Sequence, residues 1–319
     1  MFQFKSIQLY FLSLFKLINI NIKKIYYNTI YYDNRISKET ASRINYFPSV
    51  HLLNALLINN NEIYKIPKLS FNQIWNDNKV TSEEYNNLHN FLWLTKIDRK
   101  EDAHLLQNLL ISWINNFNKY QHKAWHFSVI GNRLIAWLSN ANILLKNCDE
   151  NFKKKFFESI LKQLNHIFIN IKNLPFSNNR LICCSSIILS GLSFKEKYNN
   201  LKFGIKELNK FILNYYDKDG FPNTRNPEDV LISLKYLILI REWLKEAKEV
   251  VPENLNEIIY NCGSCFDFFS NSQKKLPLFN GSTDIFFGDY QMFLKNMNYK
   301  FESKSNEKSG YLKINKKKN

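Results

Sequence analysis

Turn formers are scarce in this sequence, with 8 glycines and 7 prolines in 319 residues. A sandwich or barrel of many short strands needs a turn signal every ~8–12 residues, so such architectures are excluded and helices become the default. Acidic residues are also few, 28 against 44 Lys plus Arg, giving a formal charge of +16. A field of that sign attracts nucleic acid, anionic lipid or acidic polysaccharide and selects none of the three. An AT-rich genome writing Lys, Asn and Ile at neutral positions produces the same balance. The 5 cysteines are an odd number and imply no disulfide framework. Cys262 and Cys265 form C-x-x-C, but no second Cys or His pair completes a zinc set. They fall on an apolar helical stripe beside Ile258, Phe266 and Phe269, where small thiols pack well; redox or metal use is the alternative.

A long apolar run is missing too. Ile7 to Phe15 is apolar, but Lys5, Lys16, Lys23 and Lys24 break up any longer stretch, short of the ~20 residues a membrane span needs. No small-residue cleavage site follows it. Ile7, Phe11, Leu14, Ile18 and Ile22 mark one helical face, which predicts a helix docked on its own domain, with a membrane-surface helix or an atypical signal as alternatives. His51, His89, His104, His122 and His166 show no metal-binding spacing. Neither a metal nor a cofactor is expected.

What is present is helical periodicity. Leu105, Leu106, Leu109, Leu110, Trp113, Ile114 and Phe117 share one stripe, and Ile130, Leu134, Leu138, Ala141 and Leu145 share the next. Phe156, Phe157, Ile160, Leu161, Leu164, Ile167, Phe168 and Ile171 form a third, ending at Pro175. Leu181 to Leu192 lacks a broad polar face and predicts an inner helix. Leu201, Ile205, Leu208, Ile212 and Tyr215 follow, then two helices opened by Pro227 and Pro252. Alternating amphipathic and apolar helices joined by short loops predict an all-α fold, an incomplete α/α toroid of helical hairpins with at most a short strand at the C-terminus. The expected division is residues 1–80 as an irregular and helical segment packing on the toroid, 81–300 as the toroid, and 301–319 as a polar tail.

Four segments carry a resemblance: Trp125 to Leu145 (WHFSVIGNRLIAWLSNANILL), Ser177 to Phe194 (SNNRLICCSSIILSGLSF), the stretch DGFPNTRNPED from Asp219 to Asp229, and LPLFNGSTD. In this order they resemble the heparinase II/III family of polysaccharide lyases, over roughly Phe91 to Tyr299. The resemblance implies a helical toroid followed by a β-sandwich, and β-elimination of uronic-acid polysaccharides such as glycosaminoglycans. It also implies a bacterial periplasm or cell-envelope setting. The sandwich would begin near Ser309, so the chain reads as truncated, with a separate β-sandwich polypeptide as a candidate partner.

That chemistry needs a base beside the substrate carboxylate, stabilisation of the resulting anion, and an acid for the leaving oxygen. The family's Asn-His pair maps onto Asn179 and Arg180, with Arg in place of His. Its DGGHxERSxxYH motif maps onto Asp219 to Val230, with Asp229 at the Tyr position. Arg180 cannot accept a proton, although it can clamp a carboxylate. Asn179, Arg180 and Asp229 are thus the candidate catalytic positions. Asp229 also reads as a helix-capping or ion-paired acid near Pro227. Arg225 and Asn226 are candidate substrate contacts, with turn fixation as the alternative for Arg225. Trp125, His126 and Arg133 read either as a sugar-stacking platform or as core packing. The sequence therefore predicts a catalytically impaired lyase relative, or a non-catalytic domain that binds acidic polysaccharide. A basic nucleic-acid-binding helical array finds support in charge alone and has no recognition motif, so nucleic acid is not an expected partner.

Overall fold

The apolar segment that lacks a polar face becomes the centre of the molecule. In the computed structural model, which describes residues 2–38, 41, 43–57, 75, 81–97, 103–194 and 198–314, every residue from Arg180 to Ser193 is buried. Among the described residues the main helices are α1 (Phe2–Tyr27), α2 (Ile30–Ile36), α3 (Ser82–His89), α4 (Ala103–Phe117), α5 (Phe127–Ser139) and α6 (Glu150–Asn170). They are followed by α7 (Asn178–Ser193), α8 (Tyr198–Tyr215), α9 (Pro227–Glu246), α10 (Glu253–Phe269) and α11 (Gly288–Asn296). Much of the irregular part expected within residues 1–80 lies outside the described residues.

Two layers follow from the burial pattern. Helices α5, α7 and α9 are buried along most of their length and pack side by side, α7 touching both of the others. The amphipathic α4, α6, α8 and α10 lie outside them, as successive outer-inner hairpins require. This is an all-α, toroid-like array, as the periodicity predicts. Three buried serines inside α7 are satisfied locally: Ser185 donates to Leu181 O, Ser186 to Cys183 O and Ser190 to Ile187 O. An inner helix can therefore hold hydroxyls without polar partners on its neighbours.

The tightest approach is between α7 and α8, where a Cβ on Gly191 would come within 2.2 Å of Leu201 N. That neighbour is backbone and cannot rotate away. Gly191→Ala is accordingly expected to force the two helices apart and cost at least about 1–3 kcal/mol, measured by urea unfolding; an unchanged midpoint would mean that the helices separate freely.

The N-terminal region divides. Helix α2 docks on α6, with the Tyr32 hydroxyl 2.6 Å from His166 Nδ1 and Lys162 2.7 Å from Asp33. Helix α1 is attached at its end, where Tyr27 donates to Asn170, but Tyr10 to Ile25 carries large apolar side chains in solvent. Docking of the whole helix, expected from its apolar face, is therefore not what the structure has.

At the other end the expected strand is a two-stranded hairpin, β1 (Glu307–Lys308) with β2 (Tyr311–Leu312). Ser309 and Gly310, expected within the strand, form its turn with positive φ of 51° and 80°. The hairpin is supported from outside, since Tyr311 packs on Phe221, Phe269 and Phe279 and Lys313 donates to Phe268 O and Ser270 O.

Candidate functional site at the meeting of three turns

The Asp219–Asp229 turn is built around the carboxylate of Asp217, two residues before it. Asp217 accepts the backbone N–H groups of Asp219 and Phe221, both at 3.0 Å, through one oxygen. Its other oxygen pairs with Arg225 at 2.7 Å. Gly220 has φ +84°, and a Cβ there would lie 2.6 Å from the Asn261 backbone, so only glycine fits this turn on α10. The C-x-x-C pair grips the same place: Cys265 Sγ donates to Asp219 O and Cys262 Sγ to Gly220 O. All five cysteines are free thiols, and burial pushes Cys265 up to about 12. The two thiols here hold a turn.

Three turns converge around Asp229. Asn178, in the first turn of α7, donates to Asp229 Oδ1 at 2.7 Å, and Ser233 donates to Asn178 Oδ1 at 3.0 Å. Thr224 donates to Asp229 Oδ2 at 2.6 Å. From the third turn Asn280 donates to Arg225 O, while Thr283 donates to Glu228 Oε2 through both N–H and hydroxyl. The Trp125–Leu145 segment joins through Asn132, whose side chain accepts the Tyr236 hydroxyl. Burial raises the Asp229 carboxyl, hydrogen bonds from Thr224 and Asn178 oppose this, and the Glu228 charge adds to it. The buried Tyr215 phenol is raised by burial and by the neighbouring Asp229 charge.

The sequence-predicted residues fall into three groups. Asn179 is exposed at the N-terminus of α7, where Ser177 provides no side-chain cap. Arg180 points the other way, buried against Glu207 at 2.9 Å, donating to Leu174 O and lying over the Phe176 ring at 4.3 Å. Arg225 is half-exposed in a left-handed conformation, φ 58°, fixed by Asp217 and by donation to Ser309 O. Asn226 caps α9 by accepting Glu228 N–H at 2.9 Å.

Trp125 and Arg133 lie in the core. Trp125 is buried and donates to Phe117 O. Arg133 is fully buried and donates to Gln163, His89 O and Ala124 O, with its guanidinium 4.1 Å from the Trp113 ring centroid. Packing, the alternative the sequence left open, is the arrangement found. His126 stays exposed beside Ser128.

Sequence reasoning missed Asn178, Thr224 and Glu207. The family resemblance put weight on Asn179, yet Asn178, the first residue of α7, is the one that reaches Asp229. Glu207 carried a signal: it is an acid flanking the apolar stripe of α8, beside Leu208 and Phe211, where an acid is buried only with a cation.

No protein-family description matches the sequence, and no curated protein matches it. Solved structures do match by shape. A heparinase III gene product with methylated lysines superposes with a TM-score of 0.51 at 17% identity, covering 78% of this chain and 45% of that one. The fold is heparinase-like. A second structure of a heparinase III gene product gives a TM-score of 0.48 at 20% identity, covering 70% of this chain and 40% of that one. The chain thus spans less than half the length of either structure.

Proposed function

We propose that this heparinase-like helical domain binds an acidic polysaccharide at the mouth where the three turns meet, and that β-elimination by this chain is impaired. The observation that carries the reading is the uncapped end of α7 with Asn179 exposed upon it. Unpaired first-turn N–H groups and the positive end of the helix dipole favour a carboxylate there, and Asn179 can donate to the same group. Arg225 supplies a half-exposed cation in the adjoining turn. Asp217 already holds Arg225 at 2.7 Å, so a substrate carboxylate would share that cation, while Glu228 and Asp229 accept hydrogen bonds within the turns.

The case for impaired catalysis rests on the same side chains. Arg180 cannot take a proton and is committed to Glu207. Asp229, at the position of the family phenol, is committed to Asn178 and Thr224. General acid-base assistance is worth roughly 100- to 10,000-fold, so its loss leaves almost no turnover.

The test pairs two measurements on the full chain. Ultraviolet absorbance of unsaturated uronate is followed with heparan- and alginate-type substrates, and affinity is titrated at two salt concentrations. Expected are negligible product and salt-sensitive binding that weakens roughly 10-fold in Arg225→Ala, the loss of one charge-assisted contact. Robust product formation would overturn the catalytic half. Equal affinity for neutral and acidic glycans would overturn the binding half.

A further inference from the structure

Helix α1 presents a large apolar surface to solvent. Phe11, Leu14, Phe15, Ile18, Ile22 and Ile25 are between 39% and 71% exposed. At helical spacing they occupy one continuous arc of roughly 100° with no polar residue inside it, and Lys23 falls on the opposite side. Tyr10 at 66% and Leu17 at 56% exposed widen the apolar surface. Exposed apolar groups on this scale are a marker of an interaction site.

The charge on this segment says what covers it. Residues 1–32 hold Lys5, Lys16, Lys23 and Lys24 and no Asp or Glu. Two copies of such a helix would set like charges against each other, and the arc is wider than the narrow a/d seam of a coiled coil. An anionic lipid surface meets both requirements: its acyl region takes Phe, Leu and Ile, and its headgroups take the lysines. Among the described residues no helix is long and apolar enough to cross a membrane, which suits a helix that lies on the surface. Its far end is fixed to the body, because Tyr27 donates to Asn170 and its ring packs on Tyr32, Tyr120 and His166. Membrane contact by α1 would therefore hold the helical array at the bilayer.

We infer that α1 is an interfacial helix that attaches this protein to anionic membranes. The arrangement is independent of the mouth and of any polysaccharide.

The experiment uses the full chain and vesicles of phosphatidylcholine with or without phosphatidylglycerol, read by co-sedimentation. Wild type is expected to sediment with the phosphatidylglycerol vesicles and much less with phosphatidylcholine alone. Phe11→Asp combined with Ile18→Asp is expected to lower partitioning by at least about tenfold, since two buried apolar contacts become charges. Lys23→Glu combined with Lys24→Glu is expected to remove the preference for the anionic lipid. Residues 11 and 18 are exposed in the structure, so circular dichroism and the melting temperature of that variant should match wild type. Wild type remaining in the supernatant, or the aspartate variant sedimenting like wild type, overturns the proposal. So does a dimer in light scattering that the aspartate substitutions abolish while vesicle binding persists.

Discussion

Glu207→Ala is expected to lower the unfolding free energy by about 3–5 kcal/mol, the range for removing one partner of a buried ion pair. Glu207 has no exposed surface and Arg180 is 4% exposed, so the guanidinium left behind would keep only its bond to Leu174 O and its contact with Phe176. Lys210, bonded to Glu207 at 2.7 Å, has a 44% exposed side chain and can turn to water at little cost. Burial would raise the Glu207 carboxyl, but hydrogen bonds from Lys210 and Arg180 hold it below its ordinary 4.5. A depressed acid contributes fully above that ordinary value, and its contribution is lost as pH falls through the lower folded value. Urea unfolding of wild type should therefore weaken below about pH 4.5 by a component that Glu207→Ala lacks. Arg180→Met with Glu207→Leu, which removes both charges, should recover most of the loss. A cost below about 1 kcal/mol for the single variant would mean that Arg180 is solvated and open to a ligand.

That pair also shows where sequence reading stopped. Helix α7 was legible as an inner helix because an unbroken apolar surface leaves a helix no place except the interior, whereas the burial of α5 and α9 along most of their length shows only in the structure. The family resemblance singled out the segments that hold the Ser177, Asp219 and Leu276 turns, and the contacts of Asn178, Asn280 and Thr283 bring these turns together. The destination of individual side chains was not legible. Asn178 and Asn179 are adjacent and identical in type, and one residue of helix is about 100° of rotation, enough to send one amide to Asp229 and the other to solvent. Arg180 takes the next step round and enters the interface with α8. The exposure of α1 was equally hidden, because an apolar stripe records that a face needs covering without recording what covers it.

Arg133 is expected to be as costly to remove as Glu207, for the opposite reason: it is a buried cation held by neutral acceptors. Its Nε donates to Gln163 at 2.7 Å, one terminal nitrogen to His89 O at 2.8 Å, and both terminal nitrogens to Ala124 O at 3.1 Å. His89 is the last residue of α3, so the guanidinium sits at the negative end of that helix dipole and ties α3 to α5 and α6. Burial and then the Arg133 charge push His89 down to about 3; the ring is neutral and accepts the Trp113 indole N–H at 3.0 Å through Nδ1. Arg133→Met keeps much of the volume but strands two carbonyls and an amide, each costing ~1–3 kcal/mol when buried without a partner, so a total loss of about 3–5 kcal/mol is expected after partial relaxation. Arg133→Lys should regain only part of it, because one ammonium cannot reproduce a planar fork reaching three elements. Chemical unfolding measures the loss, and polysaccharide titration of folded Arg133→Met at low temperature separates it from recognition. Unchanged stability with weakened binding would return Arg133 to the substrate surface; lost stability with unchanged affinity per folded molecule fixes it as the interior clamp that its hydrogen bonds describe.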